Sequence, residues 1–162
     1  MIYILYAVII VATFFFMEFM AWFTHKYIMH GFLWFLHKDH HQPEPGFLEK
    51  NDWFFVMFAI PSILLLLFGT IDANPWLFSV GLGILLYGIA YFLAHDVIVH
   101  QRLKWFTHSK NRYVRAIRWS HKMHHKHLEK ENGESFGFLI IGKKYWDKIR
   151  RDDQLRKASK KN

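Results

Sequence analysis

The chain contains no cysteine among its 162 residues, and this single absence removes several chemistries. Disulfides, iron–sulfur ligation by this chain and a haem–thiolate centre are all excluded. Basic residues are missing from nearly half of its length: none of the 21 Lys and Arg precedes Lys26 or falls between Lys50 and Arg102. Proline is scarce, with 4 residues, and no Pro/Gly/Ser-rich linker interrupts the chain, so residues 1–162 read as one domain. A dinucleotide fingerprint is also lacking, because Gly81-x-Gly83 followed by Gly88 misses the required glycine spacing. If the protein carries out redox chemistry, its electrons come from outside.

What is present is apolar and segregated. Hydrophobic residues make up 52% of the chain, yet mean hydropathy is near zero, because charged residues are confined to separate segments. Three runs carry the apolar content: Ile2 to Thr24 with Glu18 as its only charge, Trp53 to Ile71, and Trp76 to Ala94. Each is long enough to cross about 30 Å of hydrocarbon as a helix. The first lacks a basic leader and a small-residue cleavage site and reads as a retained span. The fold class expected is all-α, a multi-pass membrane bundle. Lys26, Lys38 and Lys50 follow the first span and the other 18 basic residues follow the third, which by the positive-inside rule puts both segments in the cytoplasm and the turn at Asp72 to Pro75 outside. The cell (inner) membrane is the expected location. A formal charge of +8 is then what a lipid-facing cytoplasmic surface carries, and no nucleic-acid partner is expected.

Histidine is abundant, and ten of the 12 fall in four groups: His25 and His30, His37 with His40 and His41, His95 and His100, His121 with His124 and His125. Every group lies on the cytoplasmic side of that topology, as a histidine-rich cap. Imidazole is the commonest protein ligand for metals, and ten exceed what one ion accepts. Two ions are the natural reading, with about five nitrogens each, a count that favours iron over closed four-coordinate zinc. In each His-x-x-His-His box, residues three and four apart share a helix face while adjacent ones diverge by about 100°, so one box can bridge two ions. The five-apart pairs diverge by about 140° on a regular helix. They serve one ion only if the helix unwinds; otherwise each member serves a different ion, which is the expectation here.

Asp39, Asp96, Glu44 and Glu134 are candidate acceptors for the outward ring nitrogens, Asp39 and Asp96 first. Glu18 lies two turns before His25, either facing the bundle as a functional group or hydrogen-bonded to a neighbouring span. His108 and His127 read as ordinary polar residues. Asn51 and Asp52 are helix caps for the second span, and residues 150–162 are expected to fray. A metal transporter would place polar residues within the spans. These spans are nearly devoid of them.

Four strings then carry a resemblance: Thr24-His25-Lys26-Tyr27-Ile28-Met29-His30-Gly31, Leu36-His37-Lys38-Asp39-His40-His41, His95-Asp96 through His100-Gln101-Arg102, and His121-Lys122-Met123-His124-His125. In that order they resemble the bacterial β-carotene 3-hydroxylases of the fatty acid hydroxylase and sterol desaturase superfamily, over nearly the whole chain. The resemblance implies a non-haem di-iron, O2-dependent monooxygenase converting β-carotene through β-cryptoxanthin to zeaxanthin. It implies His25, His30, His37, His40, His41, His95, His100, His121, His124 and His125 as iron ligands, with no catalytic residue beyond them. An external ferredoxin or NAD(P)H-linked reductase would supply electrons. Carotenoid ketolases and sterol or fatty-acid hydroxylases share such boxes and form the alternative.

Overall fold

The computed structural model describes residues 1–42, 45–46 and 48–160. It is helical, with no β-strand among the described residues. Helix α1 (Ile2–Phe23) runs directly into a π-helical segment, Thr24–Phe32, and α2 (Trp34–His41) follows. Helices α3 (Asp52–Ile71) and α4 (Pro75–Phe92) form a hairpin, and α4 likewise continues as a π-helical segment, Leu93–Val99. Helices α5 (Arg112–His125) and α6 (Lys143–Ala158) complete the chain.

Three continuous helices are long and apolar enough to cross a membrane: Ile2–Phe32, Asp52–Ile71 and Pro75–Val99. The first and third exceed the apolar runs read from the sequence, because the π-helical segments carry each helix past its last hydrophobic turn. Their outer faces expose Phe15, Phe16, Phe19, Ile60, Ile63, Leu64, Leu67 and Ile89. Apolar surface on this scale is tolerated in lipid and not in water.

Helix α4 is packed against both α1 and α3. Glycines two positions apart on an α-helix point about 200° apart, so Gly81 and Gly83 face opposite neighbours. A Cβ on Gly81 would lie 2.9 Å from the Leu66 amide nitrogen of α3, and one on Gly83 would lie 2.6 Å from Thr13 Cβ of α1. Without a driving force for hydrophobic association in lipid, such close backbone approach is what holds spans together. At the turn, Asn74 caps α4 by accepting from the Trp76 and Leu77 amides, with Pro75 as the first helical residue.

The caps at the other end differ from expectation. Asn51 precedes α3 but makes no side-chain cap; its oxygen is taken by His37 instead. Asn111 does cap α5, accepting from the Tyr113 and Val114 amides at 2.8 and 3.2 Å. Val114, Ile117, His121 and His124 then recur on its buried face, leaving the basic residues outward. The tail, as far as its residues are described, does not fray from residue 150. It stays helical to Ala158, because Asp153 pairs with Arg112 and Arg115 on α5 and Lys148 lies over the Trp119 ring.

Glu18 acts as a strap. Its Oε2 accepts from the Tyr87 hydroxyl of α4 at 2.8 Å, and its Oε1 accepts from the amides of Phe138, Leu139 and Ile140 at 3.1, 2.9 and 3.0 Å. The bond to a neighbouring span is therefore the observed arrangement. It also supplies acceptors for irregular backbone folded against the bundle, where water is scarce. Replacing Glu18 with leucine strands three amides and a phenol, each costing about 1–3 kcal/mol when left unsatisfied. Glu18→Leu is expected to lower the melting temperature in detergent sharply, with Glu18→Gln, which keeps an acceptor oxygen, between it and the native protein; equal melting temperatures for all three would refute the strap.

Candidate metal centre

Each box reaches the centre from a different element. His25 and His30 come from the first π-helical segment, His37, His40 and His41 from α2, His95 and the following His100 from the second π-helical segment, and His121, His124 and His125 from α5. Two sets form. His25, His30, His37, His41 and His124 each offer a ring nitrogen, all within 4.8 Å of one another, and His40, His95, His100 and His121 do the same. His125 joins the second set at its edge, its Nε2 2.7 Å from that of His121. The ten sequence-selected histidines thus gather in one place, five to a side; the rings of His108 and His127 join neither set.

Both boxes divide as their geometry predicts. His41 and His37 belong to the first set and His40 to the second; His124 belongs to the first and His121 to the second. The five-apart pairs do not divide. His25 and His30 share the first set, and His95 and His100 the second, contrary to the expectation of one ion for each member. The physical reason is the local helix type. An i→i+5 ladder, seen in Leu33 N–H to Ile28 O and His100 N–H to His95 O, adds a residue to each turn and brings positions five apart onto one face.

The outer ring nitrogens decide the chemistry of the inner ones. His25 Nδ1 donates to the Phe136 carbonyl at 3.0 Å, His30 Nδ1 to Lys130 at 3.0 Å, His41 Nδ1 to His127 at 2.8 Å and His124 Nδ1 to Glu134 at 2.9 Å. A carbonyl oxygen only accepts, so each of these rings carries its proton on Nδ1 and leaves Nε2 bare. His37 Nδ1 faces Asn51 Oδ1 and His40 Nδ1 faces Glu49 Oε2, both at 2.7 Å. Yet the Nε2 atoms of His25 and His37 lie 3.2 Å apart, and those of His30 and His124 3.3 Å apart. Two lone pairs aimed at each other at that distance repel unless a cation lies between them. The donor set therefore fits transition-metal ions, and adding protons is disfavoured: burial pushes the imidazole of His37 down to about 2, His41 to about 4 and His125 to about 3. Desolvation likewise holds His40, His100, His121 and His124 well below the ordinary range, with neighbouring imidazoles adding to it.

The outer acceptors only partly match the candidates. Asp96 lies beside His95 Nδ1 at a long 3.4 Å. Asp39 instead accepts from the Lys50 amide at 2.6 Å, and Glu134 contributes its carbonyl while its carboxylate pairs with Lys144. Glu44 lies outside the described residues. Sequence reasoning misses Glu49 and Asn51, since neither belongs to a histidine box and Asn51 already has a reading as a cap. Their only signal is position: the chain returns to α2 within about ten residues in order to start α3.

Beside the two histidine sets, an apolar cavity of about 330 Å3 opens between α1, α3 and α4. Phe138 and Tyr91 are among its lining residues. Phe138 stacks on the His25 ring with centroids 4.9 Å apart, and Tyr91 stacks on His95, also at 4.9 Å. Two hydroxyls in its wall are already engaged, Ser62 with the Gly81 carbonyl and Tyr87 with Glu18. An apolar ligand would be separated from the imidazole cluster by one layer of aromatic rings.

A family model described as fatty acid hydroxylase matches residues 10–151. Among curated proteins, the β-carotene hydroxylase of Pantoea ananas is 42% identical over 139 residues, covering 86% of this chain and 79% of that protein. The β-carotene hydroxylase of Paracoccus sp. (strain N81106 / MBIC 01143) is 39% identical over 132 residues, covering 81% of each. A chloroplastic relative, β-carotene hydroxylase 2 of Capsicum annuum, is 38% identical over 144 residues, covering 87% of this chain and 46% of that longer protein. No solved structure matches the chain. With the match spanning most of the first helix, all four histidine groups and the first half of α6, the chain belongs to the fatty acid hydroxylase family.

Proposed function

We propose that this protein is a β-carotene 3-hydroxylase, working as a membrane-embedded di-iron monooxygenase. The observation that carries the reading is the pairing of proton-free Nε2 atoms in two adjacent sets, alongside relatives named as β-carotene hydroxylases over most of the chain. His25, His30, His37, His41 and His124 would hold one iron, and His40, His95, His100, His121 and His125 the other. Bound iron would supply dioxygen activation, in which one oxygen atom enters a ring C–H bond and the other leaves as water, consuming two electrons and two protons.

The chain's own part is positioning. The apolar cavity accepts a hydrocarbon ring, with the polyene in the lipid between spans; a carotene is a rigid rod of about the bilayer's thickness, so its ring reaches the depth of the histidines. Phe138 and Tyr91 set the distance between ring and metals and keep water from the cavity. The basic segments after α1 and α4 support a cytoplasmic location for the cap in the cell membrane. That surface is where an acidic ferredoxin or an NAD(P)H-linked reductase would dock to deliver electrons.

Expression in a β-carotene-accumulating bacterium tests the substrate: zeaxanthin is the expected pigment, echinenone or canthaxanthin would point to a ketolase, and unchanged pigment would overturn the carotenoid reading. His40→Ala and His124→Ala should each abolish conversion and lower the iron content of the purified protein while leaving it in the membrane fraction; full iron in either variant removes that residue from the ligand set. Gly88 faces open space in the cavity wall, and a Cβ added there would meet nothing within 4 Å. Gly88→Phe should therefore cut conversion on the order of a hundredfold by displacing the ring, with iron content unchanged; normal conversion would exclude this cavity as the ring site.

A further inference from the structure

The two histidine sets are backed by different chemistry. Behind the first set, His25, His30, His41 and His124 donate to main-chain carbonyls and His37 to the Asn51 amide, all neutral acceptors. Behind the second set are carboxylates. Glu49 accepts from His40 Nδ1 at 2.7 Å, and Asp96 lies 3.4 Å from His95 Nδ1.

One guanidinium organises these acids. Arg102 reaches Glu49 at 3.4 Å, Asp52 at 3.1 Å and Asp96 at 3.2 Å. Its own position follows from the end of the second π-helical segment, where Gln101 adopts φ 55° and the Arg102 amide turns back to the Asp96 carbonyl at 2.9 Å. That left-handed residue closes the helix in the manner of a Schellman cap, with glutamine where glycine is usual. Asp52 in turn accepts from the Glu49 amide at 3.1 Å, so the loop before α3 is tied to the same cluster. Three carboxylates face one arginine, leaving negative charge behind the second set.

We propose that Glu49, Asp96 and Arg102 are positioning residues that make the two metal positions unequal, the second holding its ion more tightly and stabilising its higher charge. This rests on reading the two sets as iron sites. A carboxylate behind an imidazole fixes its orientation and raises its basicity, an effect worth about 10–100-fold in metal affinity. The negative charge would favour the higher oxidation state of an ion held by His40, His95, His100, His121 and His125 over that of one held by the carbonyl-backed set. Arg102 acts through the acids and touches no ring.

The test is Mössbauer spectroscopy of the full-length protein loaded with 57Fe(II), with chelator titration alongside. The native protein is expected to show two quadrupole doublets of equal area. Glu49→Gln keeps the acceptor but removes its charge, so it should shift one doublet and weaken one ion by about 10–100-fold. Arg102→Lys should move that same doublet. Asn51→Asp places a carboxylate behind His37 and should move the other. Two ions with a single doublet in the native protein, or Glu49→Gln shifting both doublets or neither, would overturn the inequality while leaving the metal sites in place. A native protein that takes up no iron would overturn both readings.

Discussion

The structure depends on facing lone pairs. In the first histidine set each outward ring nitrogen is tied to an acceptor, four of them main-chain carbonyls, and the inward nitrogens are bare and about 3 Å apart. Such a cluster is repulsive by itself and would be stabilised by cations, so a bound metal would contribute to the folding energetics as well as the chemistry. The imidazoles of this set come from the first π-helical segment, α2 and α5, so an ion bound by them would act as a crosslink. The protein core proper is small, centred on Met17, Ala21, Tyr87 and Phe138. Much of what a soluble protein does by burying apolar side chains is done here by lipid on one side and imidazole convergence on the other.

The membrane part serves that convergence through backbone contacts. Gly81 and Gly83 let α4 sit against α3 and α1 at once, which sets the distance between the helices that carry His95 and His25. Glu18 then fastens the segment at Phe138 to Ile140 onto α1. Just before that segment the Phe136 carbonyl orients His25, and within it the Phe138 ring divides the apolar cavity from the imidazoles. An acidic residue in a span is costly, and here the cost is offset by four donors that would otherwise go unpaired.

Much of this is legible in the chain itself. The three spans, the ten histidines and the division of each His-x-x-His-His box follow from hydropathy and the 3.6-residue period. The five-apart pairs mislead, because that same period fails where the helix does not keep it. A π-helical ladder has no sequence signature beyond the histidines it carries. Glu49 and Asn51 are hidden because outer acceptors are selected by proximity in space, and a loop residue is near His40 or His37 only after α2 and α3 have packed. Polarity alone makes the tail look frayed; Asp153 finds Arg112 and Arg115 on another helix, a contact invisible to local composition.

Composition and spacing determined the solvent this protein requires, the side of the membrane its basic residues favour, and the identity of the groups that could bind metal, since those depend on residue type and short-range periodicity. Which imidazoles come together in each set, which tautomer each adopts, and which set is backed by charge were decided by tertiary structure. The reason is that each of those properties is a distance between atoms on different helices, and hydrogen-bond direction and electrostatic repulsion change over fractions of an ångström that no linear pattern encodes.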